Sequence, residues 1–169
     1  MALTMHAMSV PIFVKTLGNL ALILEKAGAH AQARGFEPAV LLHARLYPDM
    51  FPVIRQVQIG CDFAKGSVAR LCGEEPPKFD DVETTFDELR ARIARTVSFI
   101  EGYSVDRFAG AETRTVEIKM RDGTHHWSGQ VYLTQMVLPN FFFHVTTAYD
   151  ILRHNGVDIG KRDFIGKLD

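Results

Sequence analysis

Asn140 and His144 are the residues of this chain whose types and spacing could do chemistry. Residues four apart lie on the same face of a helix, so the sequence predicts that the two polar side chains point together. The neighbouring Phe141, Phe142 and Phe143 indicate surroundings that are largely closed to water. A polar pair in such surroundings needs hydrogen-bond partners, and an imidazole there could act as a base, a ligand or a structural donor.

The elements that must position this pair are mostly helices. Apolar residues at intervals of three and four predict one helix from about residue 10 to Gly35 and a second from Pro52 to Gly73. Thr85 and Glu88 form a possible capping box at the start of a third, which ends at Gly102. The last helix should follow Pro139 and run to about residue 154.

Shorter segments connect these four helices. Residues 38–46 predict a short helical turn, and the helical pattern of residues 130–137 leads into the last helix. Alternating residues 116–120 and a turn at Asp122 and Gly123 indicate a small hairpin that returns through residues 124–127. The tail from residue 157 onward has no helical period. The fold class that these patterns predict is mainly α, with a β-hairpin before the last helix.

Composition limits the class of protein. The chain has 169 residues, of which 47% are hydrophobic and 23% are charged, and this size and composition predict a single domain over residues 1–169. Nineteen basic and twenty acidic residues are scattered along it, which argues against nucleic acid as a partner. No apolar run is long enough to span a membrane and no export signal is visible. The sequence therefore predicts a cytoplasmic protein.

Three separated segments resemble a known family. Residues 48–52, 56–65 and 138–166 are similar to an uncharacterised domain-of-unknown-function family that is grouped with the DinB/YfiT-like four-helix bundles. The resemblance implies an up-down-down-up bundle that is often a homodimer. Many members of the superfamily bind a divalent metal through three histidines, and some are thiol-dependent transferases or hydrolases.

The metal motif of that superfamily is incomplete in this chain. Leu152, Arg153 and Gly156 match the family pattern, and counting back places His144 at the second histidine and Asn140 at the first. The third ligand should come from the middle of the second long helix, which offers Gln56, Gln58 and Asp62 but no histidine. Neutral amides bind transition metals weakly, so we expect no metal or other cofactor; any metal would have to use His144.

Two hypotheses from different classes follow. In the first, the chain is a small-ligand-binding or structural module, and His144 is satisfied by Asn140, Gln58 or Asp62 in a pocket that these four residues form. In the second, it is an enzyme of the DinB-like superfamily in which His144 is a general base assisted by Asp62, with or without a divalent metal. A solvent-connected cavity beside His144 would favour the enzyme, and a closed, dry environment the module.

Overall fold

We describe residues 3–167 of a computed structural model of the chain, which is mainly helical. A 3-10 turn, Val105–Phe108, precedes the hairpin, and a π-helical segment, Tyr132–Val137, joins the fifth and sixth helices. The helices and strands are α1 (Val10–Arg34), α2 (Ala39–Leu42), α3 (Val53–Leu71), α4 (Phe86–Glu101), β1 (Thr115–Met120), β2 (Gly123–Ser128), α5 (Gly129–Val131), α6 (Leu138–His154) and α7 (Lys161–Ile165).

The four long helices pack side by side around one hydrophobic core. Helix α1 packs mainly on α4, and α3 mainly on α6 and α4, with smaller contacts of α1 with α6 and α3. The predicted apolar stripe of α1 is buried, and Phe13 meets Phe141 of α6 edge to face with ring centroids 4.8 Å apart. Pro11 lies in the first turn of α1, and Gly35 ends the helix in the left-handed conformation at φ 71°. This end of the chain follows the sequence prediction closely.

Helix α4 begins with the predicted capping box. The backbone N–H of Glu88 donates to Thr85 Oγ1 at 3.1 Å, and a carboxylate oxygen of Glu88 accepts from the Thr85 N–H at 3.0 Å. The two bonds satisfy backbone donors that the first turn of a helix would otherwise leave without partners. They also fix the end of the loop of residues 74–84, which connects α3 to α4.

We expect Thr85→Ala to lower the free energy of unfolding by about 1 kcal/mol, because the N-cap acceptor is lost. Urea denaturation followed by circular dichroism would measure the change. Ser98→Ala, an exposed position on the same helix, is the matched control and should leave stability within about 0.5 kcal/mol of the parent. Equal effects of the two substitutions would contradict the capping role.

The hairpin pairs β1 with β2 in antiparallel register, with Val116 opposite Trp127 and Met120 opposite Gly123. Its two-residue turn is therefore Arg121 and Asp122. The sequence prediction placed the turn one residue later, because glycine was expected inside it; the structure uses Gly123 at φ 141° as the first residue of β2 instead.

Two further segments differ from their predictions. The tail, predicted to be irregular, contains α7, which packs on α1 through an ion pair between Lys26 and Asp163 and a hydrogen bond from Asn19 Nδ2 to the Phe164 carbonyl. Five residues are too few to show a helical period, so this helix depends on tertiary contacts that no local pattern reveals. Helix α2 covers only Ala39–Leu42 and is shorter than the predicted 38–46. Within residues 3–167 no helix is long and apolar enough to cross a membrane.

Candidate functional site

His144 lies between α6 and α3 and is hydrogen-bonded to Gln56. The ring atom Nδ1 is 2.6 Å from Gln56 Oε1, and the Gln56 amide nitrogen donates to the Phe51 carbonyl at 3.1 Å. A carbonyl can only accept, so this second bond fixes the amide orientation and leaves Oε1 to face the imidazole. His144 must then carry its proton on Nδ1, and its Nε2 has a free lone pair.

The free nitrogen of His144 is in contact with solvent. No residue within 3–167 hydrogen-bonds Nε2, yet this atom is not among the fully buried polar atoms that lack a partner. The whole residue is only 9% exposed, so the opening at Nε2 is narrow. This narrow opening is not the closed, dry environment expected for the module, and it is less than the solvent-connected cavity expected for the enzyme.

Aromatic rings surround the imidazole. Phe63 stacks on it with centroids 5.8 Å apart and planes 20° from parallel, and Phe143 meets it edge to face at 5.3 Å. Burial, and secondarily the positive charge of Arg55, lower the pKa of His144 below its usual 6.5. The imidazole is therefore neutral at pH 7, in the protonation state that accepts a hydrogen bond or takes up a proton.

Asn140, predicted to pair with His144, does not do so. Its Nδ2 donates to the Met136 carbonyl at 2.6 Å, within its own helical segment. Thr147 makes the same kind of bond to the Phe143 carbonyl four residues earlier, and such a local bond competes with a bond to His144. The predicted dry cluster is also wrong in part, because Phe142 and Phe143 are 38% and 56% exposed.

Gln58 and Asp62 form part of a separate charged cluster and do not contact His144. Gln58 donates to Glu83 and accepts from Arg55. Asp62 Oδ1 lies 3.0 Å from Arg92 Nη2 and 3.1 Å from Lys65 Nζ, so its charge is already compensated. The predicted four-residue pocket is thus divided, and the imidazole partner is Gln56.

Arg92 is the centre of that cluster and was not singled out in the sequence. Its side chain is fully buried and forms ion pairs with Asp62, Asp81 and Glu83, so one guanidinium holds α3, α4 and the 74–84 loop together. The available sequence signal was its spacing, because Arg92 falls three residues after Leu89 on the buried stripe of α4. A charge on an apolar stripe indicates a buried partner.

Cys61 is a core residue of α3. It is fully buried, and that burial raises the pKa of its thiol to about 12, so the reactive thiolate is absent at neutral pH. Cys61 is therefore a small hydrophobic residue of the core rather than a nucleophile.

The residues around His144 fit a transition metal poorly. His144 is a strong donor, but Asn140 is an amide bonded to a backbone carbonyl. Of the three residues offered for the third ligand, Gln56 is bonded to the imidazole, Gln58 to Glu83, and Asp62 is paired with Arg92 and Lys65. No group of three or more His, Cys, Asp or Glu side chains in the described part of the chain is arranged to hold a metal. Zinc and its neighbours in the series normally require three or four such donors.

The architecture defines a class of protein: a four-helix bundle with a hairpin before its last helix, and with a histidine at the inner face of that helix. It resembles in structure a DinB family member protein from Shewanella denitrificans, determined by crystallography at 1.83 Å resolution, with a TM-score of 0.91 and 45% sequence identity. The likeness covers 96% of this chain and 92% of the other. None of the curated proteins compared with the chain matches it.

The family model for a domain of unknown function, DUF1993, matches residues 5–165. The chain belongs to this DinB-like family. The predicted family and fold class are both confirmed.

Proposed function

We propose that this protein is a small-ligand-binding module without a bound metal, and that Nε2 of His144 accepts a hydrogen bond from the ligand. The observation that carries the proposal is the chain of bonds from the Phe51 carbonyl through Gln56 to Nδ1, which fixes one tautomer. A preorganised acceptor loses little entropy when a ligand binds. The adjacent Phe63 and Phe143 would contact an apolar or aromatic ligand body.

The tautomer itself is testable in the free protein. We expect ¹⁵N-edited NMR spectra of His144 to show a protonated Nδ1 and an unprotonated Nε2 at pH 7, with a titration midpoint below 6.5. His126, which is exposed beside Glu117, provides the internal comparison within the same spectra. A proton on Nε2, or a midpoint above 6.5, would refute the assignment of the free lone pair.

Ligand binding can be tested with phenol as a probe, because it combines an aromatic body with one O–H donor. We expect phenol to shift the His144 Nε2 resonance in a saturable way, and anisole, which lacks the donor, to shift it much less. The matched variant His144→Phe keeps an aromatic ring but loses the acceptor, so backbone amide shifts, followed in both proteins, should show phenol binding more tightly than anisole in the parent only. If neither probe perturbs Nε2, His144 is a structural residue only.

The absence of metal is a separate prediction. We expect the purified protein to contain far less than one zinc, nickel or iron per chain by elemental analysis, because the donor set at residues 56, 140 and 144 is incomplete. Protein purified without chelators is the sample, and His144→Ala is the control. About one metal per parent chain that is lost in His144→Ala would overturn the proposal.

The enzyme hypothesis keeps one observation in its favour. A neutral imidazole with an open Nε2 is also what a general base requires, and Gln56 would then orient it in place of Asp62. The family resemblance suggests a thiol-dependent transfer or hydrolysis. Conjugation of glutathione to 1-chloro-2,4-dinitrobenzene would test this, and the hypothesis requires a rate above the uncatalysed one that His144→Ala removes.

Assembly and location are proposals from the same resemblance. We propose a single cytoplasmic domain that forms a homodimer. The balanced charge of the chain argues against binding to nucleic acid. The exposed aromatic side chains of Phe142 and Phe143 agree with an interface between two copies. Light scattering of the purified chain would test the homodimer.

A further inference from the structure

A cavity lined in part by Phe63 lies close to His144. It has a volume of about 580 Å³, opens to solvent, and is enclosed by α3, the 75–81 part of the loop, β1 and the π-helical segment. Phe63 lines this cavity and also stacks on His144, whereas His144 and Gln56 do not line it. The two sites are therefore neighbours with separate polar groups.

Arg70 gives this cavity an unpaired positive charge. Its only hydrogen bond within residues 3–167 is a long one, 3.4 Å, to the Tyr132 hydroxyl oxygen, and no carboxylate in that range forms an ion pair with it. The other cationic residue on the α3 wall, Lys65, already forms an ion pair with Asp62. A guanidinium without a counter-ion in a solvent-connected cavity has N–H donors free to bind an anion from solution.

Tyr132 adds a second donor at the same place. Its oxygen accepts from Arg70, so the phenolic proton is directed elsewhere, and no acceptor for it exists among the described residues. Burial raises the pKa of Tyr132, which keeps the hydroxyl protonated and able to donate. Two adjacent groups, one a cation and one a neutral O–H, therefore present donors without acceptors.

Gly66 allows the arginine to take this position. A Cβ added to Gly66 would lie 2.6 Å from Arg70 Nη1, so any side chain there would force the guanidinium to move. Gly66 is in the interior of α3, where glycine is less favourable than alanine by about 1 kcal/mol. Gly66 thus lowers the stability of α3 relative to alanine and leaves room for the Arg70 guanidinium.

The remaining walls are suited to an apolar ligand body. Phe63, Phe79, Ile118 and Met136 contribute carbon surface to the cavity. Phe79 lies on the 74–84 loop and is held in place by two cation–π contacts. Lys65 Nζ is 4.0 Å and Arg95 Cζ 3.5 Å from the centroid of its ring.

We propose that this cavity binds a small organic anion, a carboxylate or a phosphate monoester with an aromatic or apolar body, whose charged group is held by Arg70 and the Tyr132 hydroxyl. Glu75 also lines the cavity and is exposed, and its charge opposes such a ligand. The carboxylates of Asp62 and Asp81, which line it as well, are neutralised by Arg92 and other cations. The proposal does not depend on ligand binding at His144.

The test is calorimetric titration of the full chain with 2-naphthoate and with its neutral counterpart 2-naphthamide. We expect naphthoate to bind at least about tenfold more tightly than the amide, and Arg70→Gln to remove that preference. Glu75→Gln should tighten naphthoate binding. The response of His144 Nε2 to phenol is measured separately, so failure of this site and failure of the His144 proposal give different results.

Gly66→Ala separates loss of binding from loss of fold. The alanine should maintain or raise the melting temperature through its helix propensity, yet weaken naphthoate binding about tenfold because Arg70 is displaced. Competition by inorganic phosphate would indicate a phosphate monoester, and its absence a carboxylate; either result supports the anion site. Equal binding of naphthoate and naphthamide, or full naphthoate affinity in Arg70→Gln, would overturn it.

Discussion

Replacing Arg92 with methionine is expected to lower the free energy of unfolding by about 3 kcal/mol. The side chain is fully buried, and its loss leaves Asp62, Asp81 and Glu83 without their shared counter-ion. Removing one partner of a buried ion pair costs about 3–5 kcal/mol, and the lower end applies here because Asp62 and Asp81 remain about 40% exposed and keep some hydration. Urea denaturation at pH 7 would measure it.

Arg95→Met is the matched control, since Arg95 lies on the same helix and contacts the same loop but is exposed. It should cost less than about 1 kcal/mol. Arg92→Lys keeps the charge but not the forked geometry that reaches three carboxylates, so an intermediate loss is expected. If Arg92→Met and Arg95→Met unfold at the same urea concentration, the cluster does not hold the loop.

The bundle was predictable because its helices carry their own start and end signals. Gly35 and the Thr85–Glu88 capping box determine local backbone conformation directly, and the apolar stripes between such signals need only one face to be buried. Helix α7 is bounded by Gly160 and Gly166, and its Asp163 accepts from the Gly160 N–H, but five residues are too few to show a helical period. The hairpin turn has a local signal in Asp122 and Gly123, which does not decide the register to within one residue. Helix α7 is also held by contacts with a distant part of the chain, such as the ion pair between Lys26 and Asp163.

The position of His144 in the bundle was predictable from the sequence, but its hydrogen-bond partner was not. Periodicity correctly placed His144 on the inner face of the last helix, and the middle of α3 opposite it. It could not choose among the three polar residues Gln56, Gln58 and Asp62, because the choice depends on the rotation of α3 about its axis. The competing attraction of Arg92 for Asp62 and of Glu83 for Gln58 comes from the loop and α4.

Asn140 shows a second limit. An i, i+4 spacing guarantees that two side chains share a face, but not that they bond to each other. The π-helical segment before Pro139 offers the Met136 carbonyl at 2.6 Å, and the asparagine takes this nearer acceptor. A local bond from side chain to backbone thus removed a residue from the predicted network, and no hydrophobic pattern could have shown it.

We expect His144→Ala to lower the free energy of unfolding by about 2 kcal/mol at pH 7, from lost ring packing on Phe63 and from leaving the Gln56 amide oxygen without its donor. The control His126→Ala, an exposed histidine, should change stability by less than about 0.5 kcal/mol. An unchanged melting temperature for His144→Ala would mean that the imidazole contributes nothing to the packing between α3 and α6.

The pH dependence gives this prediction a second, independent readout. Because the pKa of His144 is lower in the folded chain than its unfolded value of 6.5, the unfolded state binds more protons between the two values. The stability contributed by the neutral imidazole is therefore complete above pH 6.5 and declines as the pH falls toward the folded pKa. His144→Ala should remove that decline, so its destabilisation relative to the parent should shrink from pH 7 to pH 5.

A double-mutant cycle with Gln56→Ala at pH 7 should give a coupling of about 1 kcal/mol. A coupling near zero would show that the Nδ1 bond, on which the tautomer assignment depends, is not formed in solution.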